Sequence, residues 1–417
     1  MAIAPAPTVS RSTSLPGAWR MLLLFLAPAT FIMGMDRAVL TVTAPALQDH
    51  YELTLTQLGL LFSIFHWSYA AMQIPAGLII HRYGPRTALL GAVLLWSAMT
   101  ALTPLAGGFL MLVVTRALLG AGQSGDWPAA ITGINNLFSD AERPRANSVL
   151  LAALYIGPIV GAPIAGYLTV HFGWRPVFFV AAAIGVAFAI LGAKVYDDGQ
   201  SGNSGSARTA PAHRLSARDW LQSAAPLVLV YMAMGMLFSL YLLWLPTYLI
   251  KGREMGVGMA GVISGAVSAG LCVGVVIGGQ LLPLLRARCS TLRRAHIPLG
   301  AGAIATASLC GVLTPLMTSD WLVVAIPVIA AVALGLCQVV FWSSVQDIGG
   351  SRTPIITGAT LLAGNLTAGA SPLLSAVIFD STKSWMLSLG VVGVTGLVGL
   401  VAYLFVDPDK PLAHRGD

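Results

Sequence analysis

The sequence predicts an all-α membrane protein whose twelve transmembrane helices form two pseudo-symmetric bundles of six. Three observations predict this fold class: an apolar composition, apolar runs of membrane-spanning length, and one long polar stretch that divides those runs into two equal sets. Charged residues make up only 9% of the 417 positions and apolar residues 56%, and the mean hydropathy is +0.80. About a quarter of the residues of a soluble protein are charged, so we expect most of this surface to face lipid.

The apolar runs are placed by length, because a helix needs about 20 mostly apolar residues to cross a bilayer. Six runs precede the polar stretch and six follow it, which predicts an N-terminal bundle over 18–196 and a C-terminal bundle over 223–406. The predicted spans are 18–45, 54–79, 87–106, 108–133, 146–170, 175–196, 223–250, 256–285, 296–317, 321–346, 353–378 and 385–406.

The segments outside the bundles are polar. Residues 197–222 are rich in Gly, Ser and Ala and predict a flexible interdomain loop. Residues 1–17 lack the cleavage site of a signal peptide and predict a disordered N-terminus, and residues 407–417 form a short tail.

The distribution of basic residues predicts the orientation of the chain. Seventeen of the 23 Lys and Arg residues fall on the side of the termini, four fall on the other side, and Arg37 and Arg116 lie within spans. Because cytoplasmic loops carry an excess of Lys and Arg, we expect both termini to be cytoplasmic. The predicted location is a cell membrane, the inner membrane of a bacterium, in which the protein is multi-pass and contacts the lipid bilayer.

The two halves also resemble each other in sequence. Residues 77–86 read GLIIHRYGPR and residues 279–288 read GQLLPLLRAR, both with glycine first and arginine tenth. Two related six-helix halves are the plan of a secondary transporter that works by alternating access.

Other functional classes find no support in the sequence. The basic residues are scattered singly between apolar runs, which is not the pattern of a nucleic-acid-binding surface. The four cysteines have neither paired nor metal-ligand spacing. No nucleophile–base spacing or phosphate loop appears, so we expect no enzyme, no cofactor and no metal, and we expect a monomer.

Four charged residues lie inside predicted spans and away from the span ends: Asp36, Arg37, Arg116 and Asp126. Because a buried charge costs several kcal/mol in a membrane, such residues are by default candidates for function. At about 1.5 Å rise per residue, both arginines are predicted about 12 Å below the outer surface. Two guanidiniums that face one cavity make a receptor for a carboxylate. The alternative is an ion pair of one aspartate with one arginine that only fastens helices 1 and 4.

Asp36 and Asp126 are candidate proton carriers. A carboxylate beside an arginine is held ionised and takes up a proton when that balance changes. Asp126 lies deeper than Arg116, towards the cytoplasm, and could pass a proton inward; alternatively it is a helix-end carboxylate that contacts a loop. His66 is of the residue type that titrates near neutral pH, but it is equally compatible with a hydrogen-bonded packing role. The remaining polar candidates, which either line the cavity or belong to the core, are Tyr69, Gln73, Trp244 and Asn365.

Several motifs of this chain resemble those of the anion:cation symporter family of the major facilitator superfamily, above all its hexuronate and aldonate proton symporters. They are MDRAVLTVTAPAL (35–47), SIFHWSYAAMQIPAGLIIHRYGPR (63–86), RALLGAGQSGDWPAA (116–130), HFGWRPVFF (171–179) and WLPTYL (244–249). The resemblance implies the major facilitator fold. It also implies that Arg37 and Arg116 contact the substrate carboxylate, that Tyr69 lines the site, and that Asp36 belongs to a proton-coupling carboxylate pair.

The chain departs from the family pattern at four positions. The glutamate of helix 4 is replaced by Gln123, which cannot ionise, and Asp126 stands where asparagine is usual. Gly34 replaces a tyrosine of helix 1 and is expected to open space, and His81 replaces the aspartate of the loop motif. Either the proton site has moved to Asp126, or coupling to protons is reduced. The lost polar groups favour a substrate that is bulkier or less hydroxylated than a simple sugar acid.

The leading hypothesis is import of a small organic anion, a carboxylate such as a sugar acid or another monocarboxylate, by proton symport with rocker-switch alternating access. The alternative is an organic-anion exchanger or uniporter without net proton coupling. Gln123 suggests it, because this residue cannot ionise. Efflux of a drug or metabolite is a third hypothesis, based on GPIVGAP at residues 157–163. A sensor that does not transport is a further alternative that only a flux measurement would separate.

Overall fold

The computed structural model describes residues 17–138, 142–195, 224–349 and 353–410, and all regular structure within these ranges is helical. Most of the predicted N-terminal segment, the whole of the predicted interdomain loop and the last part of the predicted tail lie outside the described residues. The helices are α1 (Ala18–His50), α2 and α3 (together Leu55–Leu102), α4 (Phe109–Gln123 and Asp126–Leu137), α5 (Arg143–Phe172), α6 (Trp174–Val195), α7 (Ala225–Gly252), α8 (Val257–Arg288), α9 (Leu292–Leu313), α10 (Asp320–Gly349), α11 (Thr353–Thr382) and α12 (Trp385–Leu404).

Ten of the described helices are long and apolar enough to cross a membrane by length and composition. One of them, over 55–105, contains two spans, because Gly84 has φ +81°, which breaks the helix between α2 and α3. Pro85 follows, and the residue before a proline is disfavoured in the helical region. The fourth span is interrupted at residues 124–125. With these two cases the chain has the predicted twelve spans.

Helix α1 extends five residues beyond its predicted end at residue 45 and finishes at His50. Its last residues include the polar Asp49 and His50, which leave the apolar run but continue the helix outside it. Arg37 is therefore 13 residues from the end of the helix, about 20 Å at the usual rise. Its depth of about 12 Å below the outer membrane surface stays a prediction.

The described structure repeats between the two halves at the end of the third helix of each. A 3₁₀ turn of sequence Thr-Pro-Leu follows α3 at Thr103–Leu105, and the same sequence forms the same turn after α9 at Thr314–Leu316. This local repeat agrees with the sequence similarity between the halves, and it gives Thr103 and Thr314 equivalent places in the fold.

The two halves contact each other near the face at which α1 ends and α2 begins, which we call the distal face. Lys251 at the end of α7 forms an ion pair with Asp49 of α1. The hydroxyl of Thr56 in α2 donates to Asp380 Oδ2 of α11 at 2.7 Å. Helices α5 and α8 approach so closely that a Cβ on Gly261 would lie 2.7 Å from the Ala162 carbonyl oxygen. The halves are thus joined at the face opposite the chain termini.

Candidate functional site

A cavity of about 210 Å³ lies between the two halves, bounded by α1, α2, α4 and α5 on one side and by α7, α8 and α11 on the other. The first half contributes every charged residue among the described residues that line it. The polar and charged lining residues of this half are Asp36, Arg37, Thr41, His66, Arg116 and Tyr155.

Arg116 is held in the cavity wall by the turn that precedes its helix. Its Nη2 donates to Thr103 Oγ1 at 2.8 Å, and its guanidinium carbon lies 6.0 Å from the centre of the Phe178 ring. The side chain is only 4% exposed, yet its Nε has no hydrogen-bond partner among the described residues. A buried donor without a partner costs about 1–3 kcal/mol, so Arg116 is a guanidinium that an entering acceptor would satisfy.

Arg37 of α1 is held by contacts with α4 and α2. Its Nε donates to Gln123 Oε1 at 2.9 Å. Its guanidinium carbon lies 5.3 Å from the centre of the Tyr69 ring and 5.5 Å from that of Phe65, within the range of a cation–π interaction. These contacts fix the stem and one edge of the guanidinium while the side chain remains partly exposed in the cavity.

Asp36 is satisfied by neutral groups rather than by an arginine. Thr100 Oγ1 donates to Asp36 Oδ1 at 2.8 Å, and Gln123 Nε2 donates to Asp36 Oδ2 at 2.9 Å. No ion pair within 4 Å joins Asp36 to Arg37 or Arg116, all three of which are described, although both arginines act on it electrostatically. The Gln123 amide thus links Asp36 to Arg37, donating to one and accepting from the other, which uses both ends of its polar group.

Asp126 lies behind the cavity wall, between α4 and α1. It is fully buried at the first residue of the second α4 segment, and Thr30 Oγ1 lies 3.1 Å from its Oδ2. Its other oxygen, Oδ1, has no hydrogen-bond partner in the described part of the chain. The hydrogen-bond neighbour of Asp126 is therefore a residue inside α1, and Asp126 is absent from the cavity lining. Its role in proton transfer stays a prediction.

His66 lines the cavity, and its Nδ1 lies 3.1 Å from the Phe62 carbonyl oxygen, which can accept a hydrogen bond from a protonated Nδ1. The other sequence candidates lie outside the lining. Tyr69 contacts Arg37 through its ring, and Gln73 is half-buried further along α2. Trp244 Nε1 donates to the Pro372 carbonyl at 3.2 Å, and Asn365 Nδ2 donates to the Leu361 carbonyl, within its own helix, at 2.9 Å. Their roles in binding stay predictions.

Several residues that the structure places at the cavity are not among the site residues predicted from the sequence. The Tyr155 hydroxyl of α5 donates across the halves to Gln338 of α10. Ser239 of α7 and Ser264 and Ser268 of α8 also line the cavity. The spacing of Ser264 and Ser268, four residues apart, is a helical signal that places both on one face and could have identified them.

Comparisons with known proteins agree with this architecture. The family model described as Major Facilitator Superfamily matches residues 26–372, which is more than half of the chain. A solved structure, a bacterial homologue of the human lysosomal transporter Spinster in an inward-facing and unoccupied conformation, has a TM-score of 0.79 and 19% identity, covering 94% of this chain and 97% of that one. At that identity the likeness is one of fold.

Three relatives match most of the chain at 26–28% identity. The protein named probable sulfoacetate transporter of Cupriavidus necator is 28% identical and covers 93% of this chain and 94% of its own. The probable galactarate/D-glucarate transporter of Bacillus subtilis is 26% identical, with 92% and 90% covered. The hexuronate transporter of the same organism is 27% identical, with 87% and 88% covered.

Proposed function

The chain belongs to the major facilitator superfamily, and we propose that it imports a small organic anion together with protons, with Arg37 and Arg116 as the groups that bind the acid. The single observation that carries the proposal is the position of both arginines in one cavity between the halves. The relatives are named as transporters of sulfoacetate or of sugar acids, and these names support an organic anion as the substrate class.

The two arginines suit an acid because each has donors left for a ligand. Arg116 Nε lacks a partner among the described residues, and the contacts of Arg37 occupy its Nε and one edge. Charge-assisted bonds from a guanidinium to a carboxylate are about twice as strong as neutral ones. An anion that bridges the two side chains would therefore replace water with fixed donors in a buried place.

We assign proton coupling to Asp36 and Asp126. Arg37 acts electrostatically on both carboxylates, so a substrate anion that neutralises Arg37 removes a charge that favours their ionised form. Substrate binding and proton uptake would then favour each other. In this proposal, the contacts at the distal face close the cavity on that side. Rocking of the two halves about the cavity would break these contacts and open that side.

Exchange or uniport without net proton movement is the second candidate, and the geometry of Gln123 favours it. A glutamate at this position could donate to Asp36 only when protonated, whereas the amide donates at every pH. Gln123 therefore stands in permanently for a protonated carboxyl group, and a cycle built on it would need one proton fewer.

The test of the proposed site is uptake by purified protein in proteoliposomes. The labelled probes are glucuronate, sulfoacetate and hexanoate, each measured with and without an inward proton gradient. We expect at least one probe to accumulate in the wild type and to lose at least tenfold in uptake in both Arg37→Ala and Arg116→Ala. Arg175→Ala is the matched control, because Arg175 contacts His50 near the distal face and lies outside the cavity lining.

The outcomes separate the hypotheses. Uptake that is unchanged in Arg116→Ala would exclude the assigned site. Uptake that depends on Arg116 but not on the proton gradient would favour exchange or uniport. Entry of protons when glucuronate or sulfoacetate is added outside empty vesicles would exclude both of these, whereas hexanoate cannot be used for this measurement because its neutral acid crosses the bilayer unaided.

A further inference from the structure

The cavity wall opposite the arginines is formed by the second half and carries no charged side chain among the described lining residues, which are four apolar residues and four with hydroxyl groups. Phe238, Leu242 and Leu243 of α7 and Ala368 of α11 line it. The described lining residues of this half include no Lys, Arg, His, Asp or Glu. The cavity is therefore divided into a charged wall on α1 and α4 and an uncharged wall on α7, α8 and α11.

Most hydroxyl groups of the uncharged wall already donate their hydrogen elsewhere. The Tyr241 hydroxyl donates to the Ala307 carbonyl at 2.8 Å, outside the lining of the cavity. Ser264 donates to the Ala260 carbonyl at 2.7 Å, and Ser268 donates to the Ser264 carbonyl at 3.0 Å. These groups have no hydrogen left to give to a ligand in this arrangement.

Ser239 is the exception in this wall. It is 2% exposed, and its hydroxyl lacks any hydrogen-bond partner among the residues that the structure describes. The π-helical turn Leu240–Trp244 follows directly, and such turns are frequent at functional sites in helices. The turn includes Leu242 and Leu243, so the irregular part of α7 is the part that lines the cavity.

This wall discriminates against a polyhydroxylated acid. A hydroxyl group that loses water without a new partner costs about 1–3 kcal/mol. Tyr241, Ser264 and Ser268 can only accept from such a group, and among the hydroxyl groups of this wall Ser239 alone can donate to one. A methylene group placed against the same wall gains about 0.8 kcal/mol. A second acid group at the far end of the molecule would meet no cation there.

We propose that the substrate is a compact organic acid with a single acid group and an apolar tail, bound with the acid on Arg37 and Arg116 and the tail against Phe238, Leu242 and Leu243. This inference rests on the proposed function and narrows its substrate class away from the sugar acids named for the relatives. Ser239 is the one hydroxyl group of this wall that can donate to a polar substituent in the tail. The cavity of about 210 Å³ restricts the tail to a small one, since sites for drug-sized ligands are about 300–1,000 Å³.

The test uses three acids with the same six-carbon chain: hexanoate, gluconate and adipate. Gluconate adds five hydroxyl groups to the hexanoate skeleton, and adipate adds a second carboxyl group at the far end. Dissociation constants are measured by calorimetry on the full-length protein in detergent, for the wild type and for Arg116→Ala. We expect hexanoate to bind the wild type at least tenfold more tightly than either other acid, and Arg116→Ala to lose this binding.

A pair of variants in α7 tests the wall itself. Leu242→Asn places an amide in the cavity lining, and we expect it to shift the hexanoate-to-gluconate affinity ratio towards gluconate by at least fivefold. Leu229→Asn is the matched control on the same helix, because Leu229 is 43% exposed on the outer surface and should keep the wild-type ratio.

Each outcome bears on one of the two proposals. Gluconate or adipate binding as tightly as hexanoate, with dependence on Arg116, would overturn the apolar-tail inference and leave the proposed function standing. Hexanoate binding that persists in Arg116→Ala would be partition into apolar surface and would also overturn the inference. Binding of none of the three acids, together with no uptake of any probe above, would overturn the proposed function itself.

Discussion

The side-chain amide of Gln123 donates a hydrogen bond to Asp36 Oδ2 at 2.9 Å, although the two residues are 87 positions apart in the chain. The bond joins α4 to α1 at the cavity and holds a carboxylate with a neutral donor. Because an amide cannot lose its proton in the physiological range, the donor of this bond is the same at every pH. It therefore provides a place where the pH response of the protein can be altered by one substitution.

Gln123→Glu should make transport strongly dependent on pH. At pH 7.5 the new carboxylate can no longer donate to Asp36, and a lost bond to a charged group costs about 1.5–3 kcal/mol, so we expect uptake to fall about tenfold or more. At pH 5.5 the protonated glutamate can donate again and uptake should recover. The measurement is the initial rate at both pH values.

Gln123→Met is the control for this substitution, because methionine has a similar length but cannot donate. It should lower uptake at both pH values to a similar degree. A pH profile of Gln123→Glu that matches the wild type would show that the bond to Asp36 has no part in transport.

Thr103→Val should weaken substrate binding through Arg116. The hydroxyl of Thr103 accepts from Arg116 Nη2 at 2.8 Å, and valine keeps the shape of the side chain but removes the acceptor. A misplaced guanidinium loses charge-assisted bonds to the acid, so we expect KM to rise about tenfold while the maximal rate changes less.

The second half offers a matched control for Thr103. Thr314 occupies the equivalent turn, and its hydroxyl donates to the Cys310 carbonyl at 2.7 Å. Thr314→Val should leave KM within twofold of the wild type, and Thr103→Ser should restore most of the loss. Equal effects of the two valine substitutions would mean that the turn matters only for folding.

Gly34→Ala should destabilise the packing of α1 against α5. A Cβ at this position would lie 2.5 Å from the Leu154 carbonyl oxygen and 3.1 Å from Pro158 Cδ. Forced displacement in a packed core costs about 1–3 kcal/mol, so the melting temperature in detergent should fall by several degrees. Gly77→Ala, in a position where a Cβ meets nothing within 4 Å, should leave it unchanged or raise it slightly. Equal melting temperatures for Gly34→Ala and the wild type would contradict the close contact.

Lys251→Asp should favour the state that is open at the distal face. It replaces the ion pair with Asp49 by two like charges. Exposed pairs contribute about 0.2–1 kcal/mol, which corresponds to a population change of up to about fivefold. The double variant Asp49→Lys with Lys251→Asp should restore the wild-type population, and about 1 M salt should reduce both effects.

This population can be followed through the reactivity of a cysteine placed on the cavity side of the distal contacts, with the four native cysteines replaced. A double variant that behaves like Lys251→Asp alone would mean that the pair does not contribute to closure.

The sequence predicted the twelve spans because a helix needs about 20 mostly apolar residues to cross the hydrocarbon core of a bilayer, and runs of that length are visible in the sequence. It did not predict the end of α1 at His50, since polar residues at a membrane surface are compatible with either helix or loop. It also did not predict the interruption of α4 at residues 124–125, next to the acidic Asp126. The helices were thus predictable, but their ends and breaks depend on the packing around them.

The candidate site was predictable in its charges but not in its contacts. Arg37 and Arg116 stand out in any apolar span, and both line the cavity. Their partners could not be read from the sequence, because Thr103 and Gln123 look like ordinary polar residues until the helices are packed. Gly34 was expected to open space; it lines the cavity, and the main chain of Leu154 approaches it closely, so its small size also serves contact between helices.

The confinement of the charged lining residues to the first half has a consequence for the response to membrane voltage. Moving one elementary charge across the full membrane potential is worth about 2.3 kcal/mol per 100 mV. Among the described residues that line the cavity, only Asp36, Arg37, His66 and Arg116 can carry such a charge. At the cavity, an applied voltage therefore acts on the charged side chains of the first half and on a bound anion. The lining residues of α7 and α11 carry no charge, so their movement transfers no charge across the membrane.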